Sequence, residues 1–156
     1  MSHITTLNLF ITDLEALDSA CKRLGLELVR GQKTFKWFGR FMGDYSGQDA
    51  AFRHGVKVED YGKCEHAIRV KNSARAYEIG LVKRSDGKPG YQLIWDSWQG
   101  GHGLCEKVMY QRGGKSNADK LKDWYAAEVA RKQMRKQGFS VQAKQLNGRV
   151  QVLCSK

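Results

Sequence analysis

Four side chains in this sequence have the types and spacing of a metal set: Cys64 with His66, and His102 with Cys105. Thiolate and imidazole are ligands that zinc prefers, and two such pairs fill its four positions. If residues 64–66 are extended, Cys64 and His66 project from one face, because side chains on a strand alternate with period two. The stretch Gly100-Gly101-His102-Gly103 would then fold the second pair back onto the first. Two facts weigh against zinc: the short C-x₂-C knuckle is missing, and unligated cysteine is among the most commonly buried residues. An acid–base alternative gathers His66, Glu78 and Asp96 from neighbouring expected strands, a pattern that the solvent face of an antiparallel sheet also produces. The sequence has no nucleophile elbow, phosphate-binding loop, dinucleotide-binding glycine pattern or H-E-x-x-H helix. The expectation is a non-enzymatic protein without a cofactor.

Charge is the stronger signal. The chain of 156 residues carries 27 Lys and Arg against 16 Asp and Glu, a formal net charge of +11. The excess gathers in two places. Lys22, Arg23, Arg30, Lys33, Lys36 and Arg40 run through a segment that also holds Phe35, Trp37, Phe38 and Phe41. Arg131, Lys132, Arg135 and Lys136 end an expected helix. At ~100° per residue they align with Leu121, Trp124 and Tyr125, opposite the small residues Ala126, Ala127 and Ala130, which would face the sheet.

Cations suit a phosphate backbone and aromatic rings stack on bases. The candidate nucleic-acid surface is therefore Lys33, Lys36, Trp37, Phe38, Arg40, Trp124, Arg131, Lys132, Arg135 and Lys136. The plainer reading makes Leu121 and Tyr125 core, with the later charges solvating the last helical turn and complementing its dipole. An acidic protein partner would answer to the same field.

The elements that must position these residues follow from periodicity. Leu7, Leu9 and Ile11 alternate as a strand, Thr12 with Glu15 forms a capping box, and Leu14, Leu17, Cys21 and Leu24 make a helix face ended by Gly25. Leu26–Arg30 is a second strand. Residues 31–65 mix glycines with aromatics and are expected to be an inserted arm or lid. A strand at Ile68 and Val70 opens a meander whose last hairpin turns at Asp86-Gly87. Ser116 or Asn117 caps a long helix running to Gln137 and stopped by Gly138, and a closing hairpin turns at Asn147-Gly148. The sum is β-α-β, a central meander, then α-β-β: an α+β fold with a mainly antiparallel sheet and two helices on one face. One domain over 1–156 is expected. No apolar run reaches the ~18–20 residues of a membrane span. The opening Met-Ser-His-Ile-Thr-Thr lacks a signal-peptide layout, so a cytoplasmic protein with four free cysteines is expected.

Four segments resemble a family of conserved hypothetical proteins from cyanobacteria, chloroplast genomes and tailed phages, a domain of unknown function. They are Met1–Thr6 leading into Asp13-Leu-Glu-Ala-Leu17, then Tyr77-Glu-Ile-Gly80, then Tyr91-Gln-Leu-Ile-Trp-Asp-Ser-Trp98, and finally Tyr125–Val129 through Gly138-Phe139 with the closing hairpin. Within residues 31–65, Lys36–Arg40 and Gly43-Asp-Tyr45, followed by Gly62–Val70, are similar to the phage branch. The resemblance brings no catalytic residues. It implies a phage-encoded protein in the host cytoplasm. The alternative to nucleic-acid binding is a protein-interaction factor: an inhibitor of a host machine or, because cyanobacterial and plastid members are associated with an AAA-type ATPase, an adaptor for such an ATPase.

Overall fold

A computed structural model describes residues 4–37, 62–110 and 118–156. The first strand, β1 (Ile4–Ile11), leads to Asp13, whose Oδ1 accepts from the backbone N–H groups of Glu15 and Ala16, both at 3.0 Å. That cap starts α1 (Leu14–Arg23) one residue later than the capping-box pattern suggests. Thr12 instead donates its backbone N–H to the Tyr125 hydroxyl at 3.1 Å. A carboxylate at this position also gains from the positive end of the helix dipole, which the threonine hydroxyl does not.

Four further strands complete the central sheet: β2 (Leu26–Arg30), β3 (His66–Val70), β4 (Ile79–Lys83) and β5 (Tyr91–Asp96). Their order is β1-β5-β4-β3-β2, with every neighbouring pair antiparallel. The opening β-α-β is therefore not a local pair. β1 and β2 occupy opposite edges, and α1 carries the chain between them.

Alternation along each strand builds two faces. The inner one joins Ile68, Ile79, Leu81, Leu93 and Trp95 to Leu17 and Cys21 of α1. It also takes Leu104 and Val108 of the short α2 (Leu104–Val108), and Leu121 and Tyr125 of α3 (Asp119–Lys136). The outer face is covered by the described stubs of the arm, with Phe35 and Cys64 buried against Ala67 and Ile94 and Trp37 packed beside them. Gly80 makes that cover fit: a Cβ there would collide with the Phe35 ring, which lies on the β4 backbone. The helices thus share one face of an antiparallel sheet, the α+β arrangement expected from the sequence.

The helix α3 ends in a Schellman turn. Gly138, at φ +86°, donates to Arg135 O at 3.0 Å, and Phe139 donates to Met134 O at 3.1 Å. Beyond it, β6 (Ser140–Leu146) and β7 (Arg149–Ser155) pair only with each other. Asn147 and Gly148, at φ +50° and +71°, supply the two left-handed residues of a type I′ turn. Ala127 and Ala130 line a groove with Val150 and Val152 of this ribbon. The small-residue side of α3 therefore receives the C-terminal hairpin, where the helical wheel had placed the central sheet. The expected caps Ser116 and Asn117 lie outside the described residues.

Candidate nucleic-acid interface

The four metal candidates separate. Cys64 is buried on the outer face and donates its thiol to Gln32 O at 3.1 Å, whereas Cys105 belongs to the inner core. His66 Nδ1 accepts from the Gly31 N–H at 2.9 Å, which holds the ring as the neutral Nε2–H tautomer. Alternation fails because β3 begins only at His66, so Cys64 does not share its face. The glycine-rich connection does not fold back either. Gln99, Gly100, Gly101 and His102 all take left-handed backbone angles, a turn tied down where Tyr77 N–H donates to Gly101 O at 2.9 Å. His102 then stands edge-on to Tyr77, with ring centroids 5.0 Å apart. Among the described residues, no three His, Cys, Asp or Glu side chains converge as a metal site. Burial pushes the Cys64 thiol up to about 11.

The acid–base trio is likewise dispersed into structural bonds. Glu78 Oε2 accepts from Gln32 Nε2 and from the Lys36 backbone N–H, both at 2.8 Å. Asp96 is fully buried, and its Oδ1 accepts from Trp98 N at 2.9 Å.

The basic residues divide by whether a carboxylate or carbonyl already holds them. In the arm, Lys33 reaches Glu65 at 3.2 Å and Lys36 donates to Ala74 O at 2.6 Å, and half-buried Trp37 packs against the cluster of Phe35, Cys64, Ala67 and Ile94. Phe38 and Arg40 lie outside the described residues. On α3 the first basic turn belongs to the seam with α1. Glu128, only 6 % exposed, receives Arg23 at 2.5 Å and Arg131 Nη1, which is shared between its two oxygens at 3.2 Å. Arg23 also stacks over Trp124, 4.6 Å from its ring centroid. Trp124 is thereby core, 7 % exposed, with no open face for a base. Lys132 spans the seam to Asp13 Oδ2 at 2.8 Å and Glu15 Oε2 at 2.9 Å. That hydrogen bond, with the N–H groups of the α1 cap, holds the Asp13 carboxyl below the usual range, and the two carboxylates raise Lys132.

The described stubs of the arm and α3 also approach the sheet from opposite sides, so the described candidates do not form one patch. Comparison with known proteins gives no match, either to a family model, to a curated protein or to a solved structure. Among the exposed cations without a carboxylate partner in the described residues are Arg135 and Lys136 on the last turn of α3, and Lys144 and Arg149 on the ribbon. The last two were not among the sequence candidates. The signal that finds them is an absence of acids: from Val129 to Lys156 the sequence has seven Lys and Arg and no Asp or Glu. Among the described residues, no helix is long and apolar enough to cross a membrane.

Proposed function

We propose that this protein binds nucleic acid, without catalysing a reaction, through the cationic end of α3 and the segment that follows it. The observation that carries the reading is the division of charge along α3. Arg131 and Lys132 are held by Glu128, Asp13 and Glu15, whereas nothing acidic follows Glu128. A surface with cations but no interspersed carboxylates repels acidic neighbours least and gathers phosphates best. Arg135 and Lys136 contact the backbone, Arg131 and Lys132 hold the helix that presents them, and Lys33, Lys36 and Trp37 offer a second, weaker contact from the opposite side. The resemblance to phage proteins fits a phage-encoded factor that meets host or phage nucleic acid in the host cytoplasm.

Fluorescence anisotropy with labelled single- and double-stranded oligonucleotides tests this. Affinity should fall log-linearly with salt, and Arg135→Ala with Lys136→Ala should flatten that slope by about two units while thermal unfolding is unchanged. Affinity weaker than micromolar for every oligonucleotide at low salt would sink the proposal. An acidic protein that stays bound to the tagged chain after nuclease treatment would favour the protein-partner reading instead.

A further inference from the structure

We infer that the outward face of the β6–β7 ribbon enters the major groove of duplex DNA and contacts base edges there; this rests on the nucleic-acid reading above and makes it specific. The ribbon is not part of the central sheet, and its two faces are sharply unlike. One face turns Val141, Ala143, Val150 and Val152 toward α3 and the core. The other, exposed, carries Gln142 and Lys144 on β6 with Arg149 and Gln151 on β7. The register places Lys144 directly across from Gln151, Gln142 across from Leu153, and Leu146 across from Arg149.

The chemistry of this face matches what bases display in the major groove. Glutamine offers a donor and an acceptor together, the pair that adenine presents there. Arginine and lysine donate to the two acceptors of guanine, and apolar side chains meet the thymine methyl. Leu146 and Leu153, 44 % and 47 % exposed, are otherwise unexplained apolar side chains on a solvent face. No carboxylate stands on either strand to repel phosphates as the ribbon enters.

Dimensions agree as well. Two strands ~4.8 Å apart fit within a groove about 12 Å wide, which admits a two-stranded ribbon. Successive outward side chains on a strand are separated by ~6.8 Å, about two base-pair steps of B-form DNA. The type I′ turn at Asn147-Gly148 keeps the tip narrow, and Arg135 and Lys136 at the end of α3 lie just before the ribbon in sequence, as flanking phosphate contacts. The major groove of double-stranded RNA is too deep and narrow for such a ribbon, so duplex type discriminates between this mode and a general phosphate affinity.

The experiment measures binding of the full chain to a 20-base-pair DNA duplex, the same duplex as RNA, and the single strand. Each is tested with and without guanine N7 methylation, and with the minor-groove ligand distamycin as competitor. The expected result is preference for duplex DNA over duplex RNA of at least about tenfold, interference by N7 methylation and none by distamycin. Lys144→Ala with Arg149→Ala should weaken duplex DNA binding at least about tenfold, with Gln142→Ala and Gln151→Ala flattening sequence preference in selection from a random duplex pool. The methylation and distamycin arms use the unaltered protein, so they decide the matter even if a ribbon variant misfolds. Equal binding to RNA and DNA duplexes, displacement by distamycin, or preference for the single strand overturns the groove assignment while leaving nucleic-acid binding intact. Ribbon variants that fold and keep full DNA affinity overturn it too. No binding to any of the three overturns the broader reading.

Discussion

The two faces of the central sheet are closed by different chemistry. On the inner side the helices meet along a seam of charge, where Glu128 receives Arg23 and Arg131 and Lys132 joins both acids at the start of α1. On the outer side an aromatic strap lies on the sheet, with Phe35 over Gly80 and Trp37 against Gly62. Its polar contacts run to Glu65, to Glu78 and to backbone carbonyls. Both closures spend cations that a composition count would assign to a partner. A basic residue marks a binding surface only where no acid of its own holds it, and beyond Lys132 the chain has no acid to do so.

Breaking the inner closure should have the largest effect. Glu128→Ala leaves two guanidinium groups without their buried carboxylate and should cost about 3 kcal/mol in urea unfolding. Adding Arg23→Met should recover part of that loss, since a neutral side chain removes the stranded charge. The outer closure should yield less. Gly80→Ala forces the Phe35 ring away and should cost about 2 kcal/mol through overpacking. Its signature is local: the Phe35 and Cys64 amides, bonded to Gly62 O and Lys33 O at 2.8 Å, should lose exchange protection while α1 keeps its own. If both amides stay protected, the strap does not depend on the glycine.

The smallest effect is one of pH. Burial lowers His66 from its ordinary 6.5, and its neutral Nδ1 accepts the Gly31 N–H at the root of the strap. The unfolded chain therefore takes up this proton first, so stability is full above 6.5 and falls as pH drops from there toward the folded value. An imidazole titration followed by NMR should show a midpoint below 6.5, and His66→Gln should remove this share of the acid sensitivity. A midpoint at or above 6.5 would contradict it.

Much of the fold was legible because it is locally encoded. Glycines at 25 and 138 end helices, and Asp86-Gly87 and Asn147-Gly148 turn hairpins, each through backbone angles written into two or three residues. The candidate site was less legible, because its outcome depends on partners far away in sequence. Lys132 pairs with Asp13, 119 residues off, and Arg23 with Glu128, 105 residues off. No helical wheel contains those acids. The same limit explains Trp124, whose place beside the cations came from Arg23 stacking on it. The period-two rule also misled at Cys64, since it holds only within a strand and β3 starts two residues later. The alternation of residues 140–155 puts Lys144 and Arg149 on the polar side of the ribbon, opposite Val141, Ala143, Val150 and Val152.

The placement of β1 and β2 at opposite edges of the sheet sets a schedule for synthesis. A ribosome releases β1 first, yet its hydrogen-bonding neighbour β5 emerges only after β2, β3 and β4. Those intermediate strands can zip one onto the next as they appear, while Leu7 and Ile11 must wait for a partner, and pairing across such sequence distance is slow. The nascent chain thus has an open sheet edge for most of its production, closed by the last strand of the meander and covered only when α3 follows.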